Sequence, residues 1–173
     1  MIDAGVLTPD DHVELIDGEI VTATPQKSRH ATAVSLAATA LRLAFGGHVD
    51  VRTQLPLAID AASELEPDVA VVSGSPRDYR DAHPSTALLV VEVADTSLLF
   101  DRTTKASLYA RAGIPDYWLL NLVDEVLEVR APQRSADAPP VSRYASVERY
   151  GPRDCVAPLA RPDRFIAVED LLP

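Results

Sequence analysis

Cysteine occurs once in the 173 residues, at Cys155. That count excludes a disulfide framework and a zinc site built from cysteines. Glycine is sparse, 7 in all. None falls in a Gly-x-Gly-x-x-Gly or Walker-type arrangement, so nucleotide chemistry of the P-loop kind is not expected. Positive charge is short: 16 lysines and arginines against 26 acids leave a net charge of −10. This argues against a protein held to nucleic acid by charge alone. No apolar run reaches the roughly eighteen residues of a membrane span. Residues Met1 to Gly5 carry neither a basic region nor a long apolar stretch, so no secretion signal is expected and a cytoplasmic location is. The four histidines, His12, His30, His48 and His83, make no i, i+3 or i, i+4 pair suited to zinc.

What is present suffices for a folded unit. Hydrophobic residues make up 47% of the chain, enough for a core without staples. The length predicts one domain over 1–173. Thr8-Pro9-Asp10-Asp11 has the pattern of a short helix start. Glu14 to Val21 reads as a β-hairpin around Asp17-Gly18. Ser28 is expected to cap a helix reaching Phe45, with Val34, Ala37, Ala38, Leu41 and Phe45 on one apolar stripe and Gly46-Gly47 ending it. Three β-like stretches follow, over 48–59, 65–72 and 87–94; the last, the most apolar, reads as a central strand covered on both faces. Asp95-Thr96-Ser97 is expected to cap a second helix, which runs to Ala112 and stops at Gly113. Strands over 117–122 and 125–129, a surface loop over 132–140, a further strand over 143–150 and a short docked helix near Val168 complete the pattern. This order predicts an α/β domain bordering on α+β, with a mixed central β-sheet flanked by helices, an N-terminal hairpin and a C-terminal meander.

Three charges fall where the core should be. Glu92 stands in Val90-Val91-Glu92-Val93-Ala94, where a lone ionised carboxylate costs several kcal/mol or more. It must sit at the strand end, be neutralised, or bind a metal. Asp68 follows Pro67 at the mouth of another apolar strand. If the two strands are neighbours, two carboxylates approach one point, a hard-oxygen site of the kind magnesium accepts. Lys105 has Leu108, Tyr109 and Ala112 at i+3, i+4 and i+7, which puts it on the sheet-facing stripe with Asp101 at i−4. Each has a plainer reading: a strand-entry turn for Asp68, a solvated strand end for Glu92, and for Lys105 snorkelling or a pair with Asp101. Only the joint occurrence favours a site. Tyr109, Tyr117 and Trp118 could stack on a base, but their positions suit core packing.

Pro67-Asp68 followed by a strand carrying Glu92 is similar to the layout of the PD-(D/E)xK nuclease superfamily. Glu14-Leu15-Ile16-Asp17-Gly18-Glu19, Glu66-Pro67-Asp68-Val69-Ala70-Val71-Val72, Val90-Val91-Glu92-Val93, and Asp101 with the run from Lys105 to Trp118 resemble the Uma2 family of restriction-endonuclease-like proteins. The resemblance spans about residues 13–130, leaving 131–173 as a C-terminal extension packed on the core. It departs from the superfamily at one point: the lysine expected two residues after the acid is Ala94, and Lys105 matches a lysine moved to the next helix.

The resemblance implies a restriction-endonuclease-like core and a Mg²⁺-dependent endonuclease acting on DNA, with Mn²⁺ as a substitute. It implies that Asp68, Glu92 and the Val93 backbone carbonyl bind the ion, and that Lys105 is the catalytic lysine. Glu14, Asp101, Gln54 and His30 are supporting candidates. A homodimer is expected. The net charge of −10 stands against DNA binding, since the arginines, Arg77, Arg102, Arg130 and Arg149 among them, are spread along the chain unless folding gathers them. Two other classes stay open at this point: a catalytically weak dimeric binding or adaptor module, which could self-associate through the strands near Trp118 and Leu127, and a metal hydrolase acting on a small phosphate ester.

Overall fold

The Asp17-Gly18 turn opens the fold. Both residues take positive φ, +48° and +87°, as a two-residue hairpin turn of the primed kind requires. They join β1 (Val13–Ile16) to β2 (Glu19–Thr22), with Ile16 paired to Glu19. A computed structural model of the chain describes residues 13–22, 26–132 and 144–173. The helix start at Thr8 and nearly all of the loop over 132–140 lie outside the described residues, as do His12 and Arg143.

Helix α1 (Ser28–Phe45) buries Val34, Ala37, Ala38, Leu41 and Phe45, the predicted stripe, together with Ala33 and Ala44. Ser28 is not its cap. Lys27 holds the cap position without a side-chain bond to the backbone, and its ammonium instead pairs with Asp95 at 3.1 Å.

Two of the expected strands each break in two. The stretch 48–59 forms β3 (Val49–Thr53) and β4 (Leu57–Asp60), because Gln54 turns at φ +51° ahead of Pro56. The stretch 65–72 forms the end of β5 (Ser63–Leu65) and most of β6 (Val69–Ser73), separated by Glu66-Pro67-Asp68, where proline offers no N–H to a ladder. Each break carries the chain from one sheet to another. β2-β1-β5-β4 form a four-stranded sheet. β10-β9-β8-β7-β6-β3 form a six-stranded sheet, where β7 is Leu89–Ala94, β8 Tyr117–Asn121, β9 Val126–Ala131 and β10 Ser146–Tyr150. In the larger sheet β7 and β8 run parallel and the other neighbours antiparallel. The short strands β11 (Cys155–Val156) and β12 (Ile166–Ala167) pair with each other. This is a mixed-sheet α+β fold with few helices.

The six-stranded sheet is covered on both faces. On one side Val69, Val71, Leu89, Val91, Val93, Trp118 and Leu120 pack against α1 and the 3₁₀ turn Val168–Leu171. On the other, Ala70, Val72, Val90, Ala94, Tyr117 and Leu119 pack against Leu57 and Leu65 of the small sheet and against the helical stretch 98–111. All six residues of β7 are buried, as a central parallel-paired strand requires. Trp118 and Leu127, where a self-association surface is expected, are consumed by this core at 1% and 0% exposure.

The stretch 98–111 is not a uniform α-helix. α2 (Leu98–Phe100) leads into a π-helical segment, Asp101–Lys105, and then α3 (Ala106–Arg111). The Ala106 N–H reaches back five residues to the Asp101 carbonyl. A π-segment holds one residue more per turn than the flanking helix and shifts the side-chain phase across it. Among the described residues no helix is long and apolar enough to cross a membrane.

Candidate active site

β6 starts at Val69, which pairs with Val91 of β7. The next position back, Asp68, lies opposite Glu92 one step beyond the last paired residues. There the Asp68 carboxylate stands in for the missing strand: Oδ2 accepts the Val93 N–H at 2.8 Å. In a strand the N–H and C=O of one residue point the same way, so the Val93 carbonyl also faces the gap beyond the end of β6. The Asp68 N–H donates to Glu92 Oε2 at 3.4 Å. The two carboxylates and the Val93 carbonyl thus share one point at the sheet's rim.

Glu92 lies on the face covered by 98–111, and its other oxygen is tied down. Oε1 accepts from Lys105 Nζ at 3.0 Å and from the Tyr109 hydroxyl at 2.6 Å. Lys105 Nζ also pairs with Glu14 Oε1 at 3.0 Å, and the same oxygen accepts the Glu66 N–H at 2.9 Å. The hairpin therefore delivers Glu14 to the same cluster. Gln54 Nε2 donates to Asp68 Oδ1 at 3.2 Å, and the positive φ of Gln54 turns it there. A cavity of about 300 Å³ between α1 and β3 opens beside Gln54. His30, near the start of α1, sets Nε2 3.2 Å from Asp68 Oδ2, while its Nδ1 is buried without a well-aligned partner. Asp101 is buried close by, but its carboxylate accepts from Ser97 Oγ while Lys105 turns to Glu14 and Glu92. The expected direct Asp101–Lys105 pair is thus replaced, because the π-segment changes the phase between the two positions.

Burial pushes the Glu92 carboxyl well above the usual range; Lys105 pulls it down, while Asp68, Asp101 and Glu14 push it further up. Asp101 is raised chiefly by burial. For Lys105, burial alone would lower the pKa, but Glu92, Glu14 and Asp101 together raise it. Burial also opposes protonation of His30, yet the Asp68 hydrogen bond and charge, with the Val93 carbonyl, win and raise it. Four carboxylates face one lysine and one histidine, so the cluster is short of positive charge.

That shortage, with hard oxygen donors from Asp68, Glu92 and Val93, suits a divalent cation such as Mg²⁺. Among the described residues no three His, Cys, Asp or Glu side chains converge as a metal cage. Magnesium ordinarily takes one or two carboxylates and keeps several waters, so two carboxylates and a carbonyl fit its habit. Tyr109 is the site residue that the pattern assigned to core packing. Its signal was present in the spacing, four residues after Lys105 on the same stripe, but only its hydroxyl's aim at Glu92 distinguishes it from filler.

The architecture is a mixed-sheet α+β fold with an acidic cluster at the sheet's rim beneath a lysine-bearing helical stretch. Its fold is similar to a crystal structure described as a putative nuclease belonging to DUF820 from Anabaena variabilis ATCC 29413, with a TM-score of 0.73 at 14% identity, covering 98% of this chain and 94% of that one. The family model described as Uma2, putative restriction endonuclease, matches residues 4–156, and the chain belongs to the Uma2 family. No curated protein matches the chain.

Proposed function

We propose that this protein is a divalent-metal-dependent endonuclease that hydrolyses phosphodiester bonds in DNA. Asp68, Glu92 and the Val93 carbonyl would hold Mg²⁺, or Mn²⁺ in its place. The ion supplies Lewis-acid polarisation of the phosphoryl group and a lowered pKa for bound water. The rest falls to the chain. Lys105 stays protonated near neutral pH, because its pKa is raised; it therefore acts as a fixed positive charge and donor toward the phosphoryl oxygens, not as a base. Glu14 and Tyr109 hold Lys105 and Glu92 in place. Gln54 and His30 orient Asp68 from the open side.

The observation that carries this reading is the meeting of Asp68, Glu92 and Lys105, far apart in sequence, within one set of hydrogen bonds. The test is plasmid or duplex cleavage with Mg²⁺ or Mn²⁺, in wild type, Glu92→Gln and Lys105→Ala. Expected are cuts that need the ion and a loss of about 10²- to 10³-fold in each variant, typical for removing one preorganised charge. Cleavage that survives both substitutions, or ion binding by calorimetry that Glu92→Gln leaves unchanged, overturns the assignment. Ion binding without any cutting would point to the binding-module class.

A further inference from the structure

The negative net charge leaves open what holds a polyanion beside the site. Folding answers with three arginines gathered from distant parts of the chain. Arg102 in the π-segment, Arg130 in β9 and Arg149 in β10 converge on Glu128, whose side chain is fully buried. Arg102 Nε lies 3.1 Å and 3.2 Å from the two Glu128 oxygens, a forked contact completed by its Nη2 on Oε1. Arg130 Nη2 reaches Oε2 at 2.9 Å, and Arg149 Nη2 reaches Oε1 at 3.3 Å.

One carboxylate is neutralised by one guanidinium; three leave a surplus. A second acid, Asp124, is mostly exposed, accepts from Asn121 Nδ2 and lies 4.0 Å from Arg102, so two carboxylates face the three guanidiniums. The donors are not used up. Arg149 spends one long contact on Glu128 with 63% of its side chain in water, and Arg102 is partly open, while Arg130 is nearly buried and also donates from Nη1 to the Arg102 carbonyl at 3.4 Å. The Arg149 guanidinium, and in part that of Arg102, is fixed at one end and open at the other, which matches the fork geometry of phosphate oxygens.

Register places this cluster relative to the site. Glu92 pairs with Leu119, Leu119 with Glu128, and Glu128 with Arg149, one row across four strands and one face of the sheet. At a strand spacing of about 4.8 Å, Glu128 lies about 10 Å and Arg149 about 14 Å along the row from Glu92. From the helical stretch above, Lys105 reaches Glu92 and Arg102 reaches Glu128. With about 3.4 Å of axis per nucleotide, the offset corresponds to roughly three or four nucleotides.

We propose that Arg102 and Arg149, organised by Glu128 with Arg130 packed beneath them, form a phosphate-binding site that grips the nucleic-acid backbone three or four nucleotides from the bond cut. Arg149 is the exposed arm, and Glu128 is a positioning residue. The proposal rests on the nuclease reading, and binding is measured apart from cutting so that the two can fail separately. The probe is a fluorescently labelled DNA duplex followed by anisotropy over a range of salt, with the otherwise wild-type protein and Ca²⁺ in place of Mg²⁺. Arg149→Ala should weaken binding about tenfold and lower the slope of log K against log salt by about 0.9, one phosphate contact. Arg149→Lys should keep the slope and recover only part of the affinity, since it keeps charge but loses the fork. Arg80→Ala, beyond the opposite end of β6, should bind as the parent does.

If Arg149→Ala keeps parental affinity and slope, the phosphate site is wrong, even if the wild-type enzyme cuts DNA. An Arg149→Ala protein that is less stable to urea but keeps the slope confines Arg149 to shielding Glu128, and likewise overturns it. Normal Arg149-dependent binding with no cleavage by wild type would sink the nuclease reading and leave the phosphate site standing.

Discussion

Glu92 meets Lys105 and Tyr109 through one oxygen and turns the other toward Asp68. Removing one partner of such a buried pair leaves an uncompensated charge, which costs about 3–5 kcal/mol. Lys105→Met is therefore expected to lower stability to urea by that order. The double change Glu92→Gln with Lys105→Met should cost less than the sum of the single changes, with a coupling of about 1–3 kcal/mol. Additive costs would show that the two side chains do not interact in solution. A second residue away from the site makes a pH prediction. Asp116 is fully buried, accepts from Trp118 Nε1 and the Leu159 N–H, and is pushed up to about 6 by burial, against those two hydrogen bonds. Its folded pKa exceeds its unfolded one, so its contribution to stability is full below the ordinary carboxylate range and is lost as pH rises through about 6. Wild type should lose stability between pH 4 and pH 7 by up to about 3 kcal/mol more than Asp116→Asn does, read from urea midpoints at each pH. An equal pH dependence in the two proteins would contradict the shift.

At the scale of the element, the π-segment is the least regular part of the fold and holds two of its cations. Arg102 and Lys105 reach two carboxylates in the same row because the extra residue sets their relative phase. Deleting the exposed Thr103 removes the extra residue of the π-turn and restores α-helical hydrogen bonding, which shortens the segment by about 1.5 Å and changes the phase between Arg102 and Lys105 by a few tens of degrees. Expected is loss of metal-dependent cleavage with the far-ultraviolet circular dichroism of the parent; retained cleavage would mean that the phase is irrelevant. The hairpin offers a milder test. Gly18→Ala keeps open space around the new methyl group but places it at φ +87°. A loss of about 1 kcal/mol is expected from the backbone alone. Cleavage should fall with it, because the hairpin brings Glu14 to Lys105.

At the scale of the molecule, the site is a junction of layers. Glu14 comes from the small sheet, Asp68 and Glu92 from the large one, Lys105 from the helical layer above it and His30 from α1 below. A cation bound there links all four and favours only the folded state. Mg²⁺ at a hundred times its Kd should therefore add about 2.7 kcal/mol of stability, seen as a rise in the urea midpoint that Glu92→Gln abolishes. A midpoint indifferent to Mg²⁺ and Mn²⁺ alike would count against any ion at this junction.

Much of this was legible in the chain. The hairpin turn, the limits of α1 and the fully buried β7 follow from Asp17-Gly18, from the spacing of Val34, Ala37, Leu41 and Phe45, and from the run Leu89 to Ala94, because each signal is local. Glu92 and Lys105 announced themselves as charges at apolar positions, where burial makes a partner obligatory. Other features depended on residues meeting across long separations. Whether Asp68 faces Glu92 is decided by strand pairing, and whether Lys105 takes Asp101 or Glu14 is decided by a π-turn that has no mark in Arg102-Thr103-Thr104. The split of 48–59 and 65–72 between two sheets, and the meeting of Arg102, Arg130 and Arg149 on Glu128, likewise arise only when strands choose neighbours. Sequence periodicity states which face of an element is apolar; it carries no information on which element that face will meet, and the chemistry of this protein lies in those meetings.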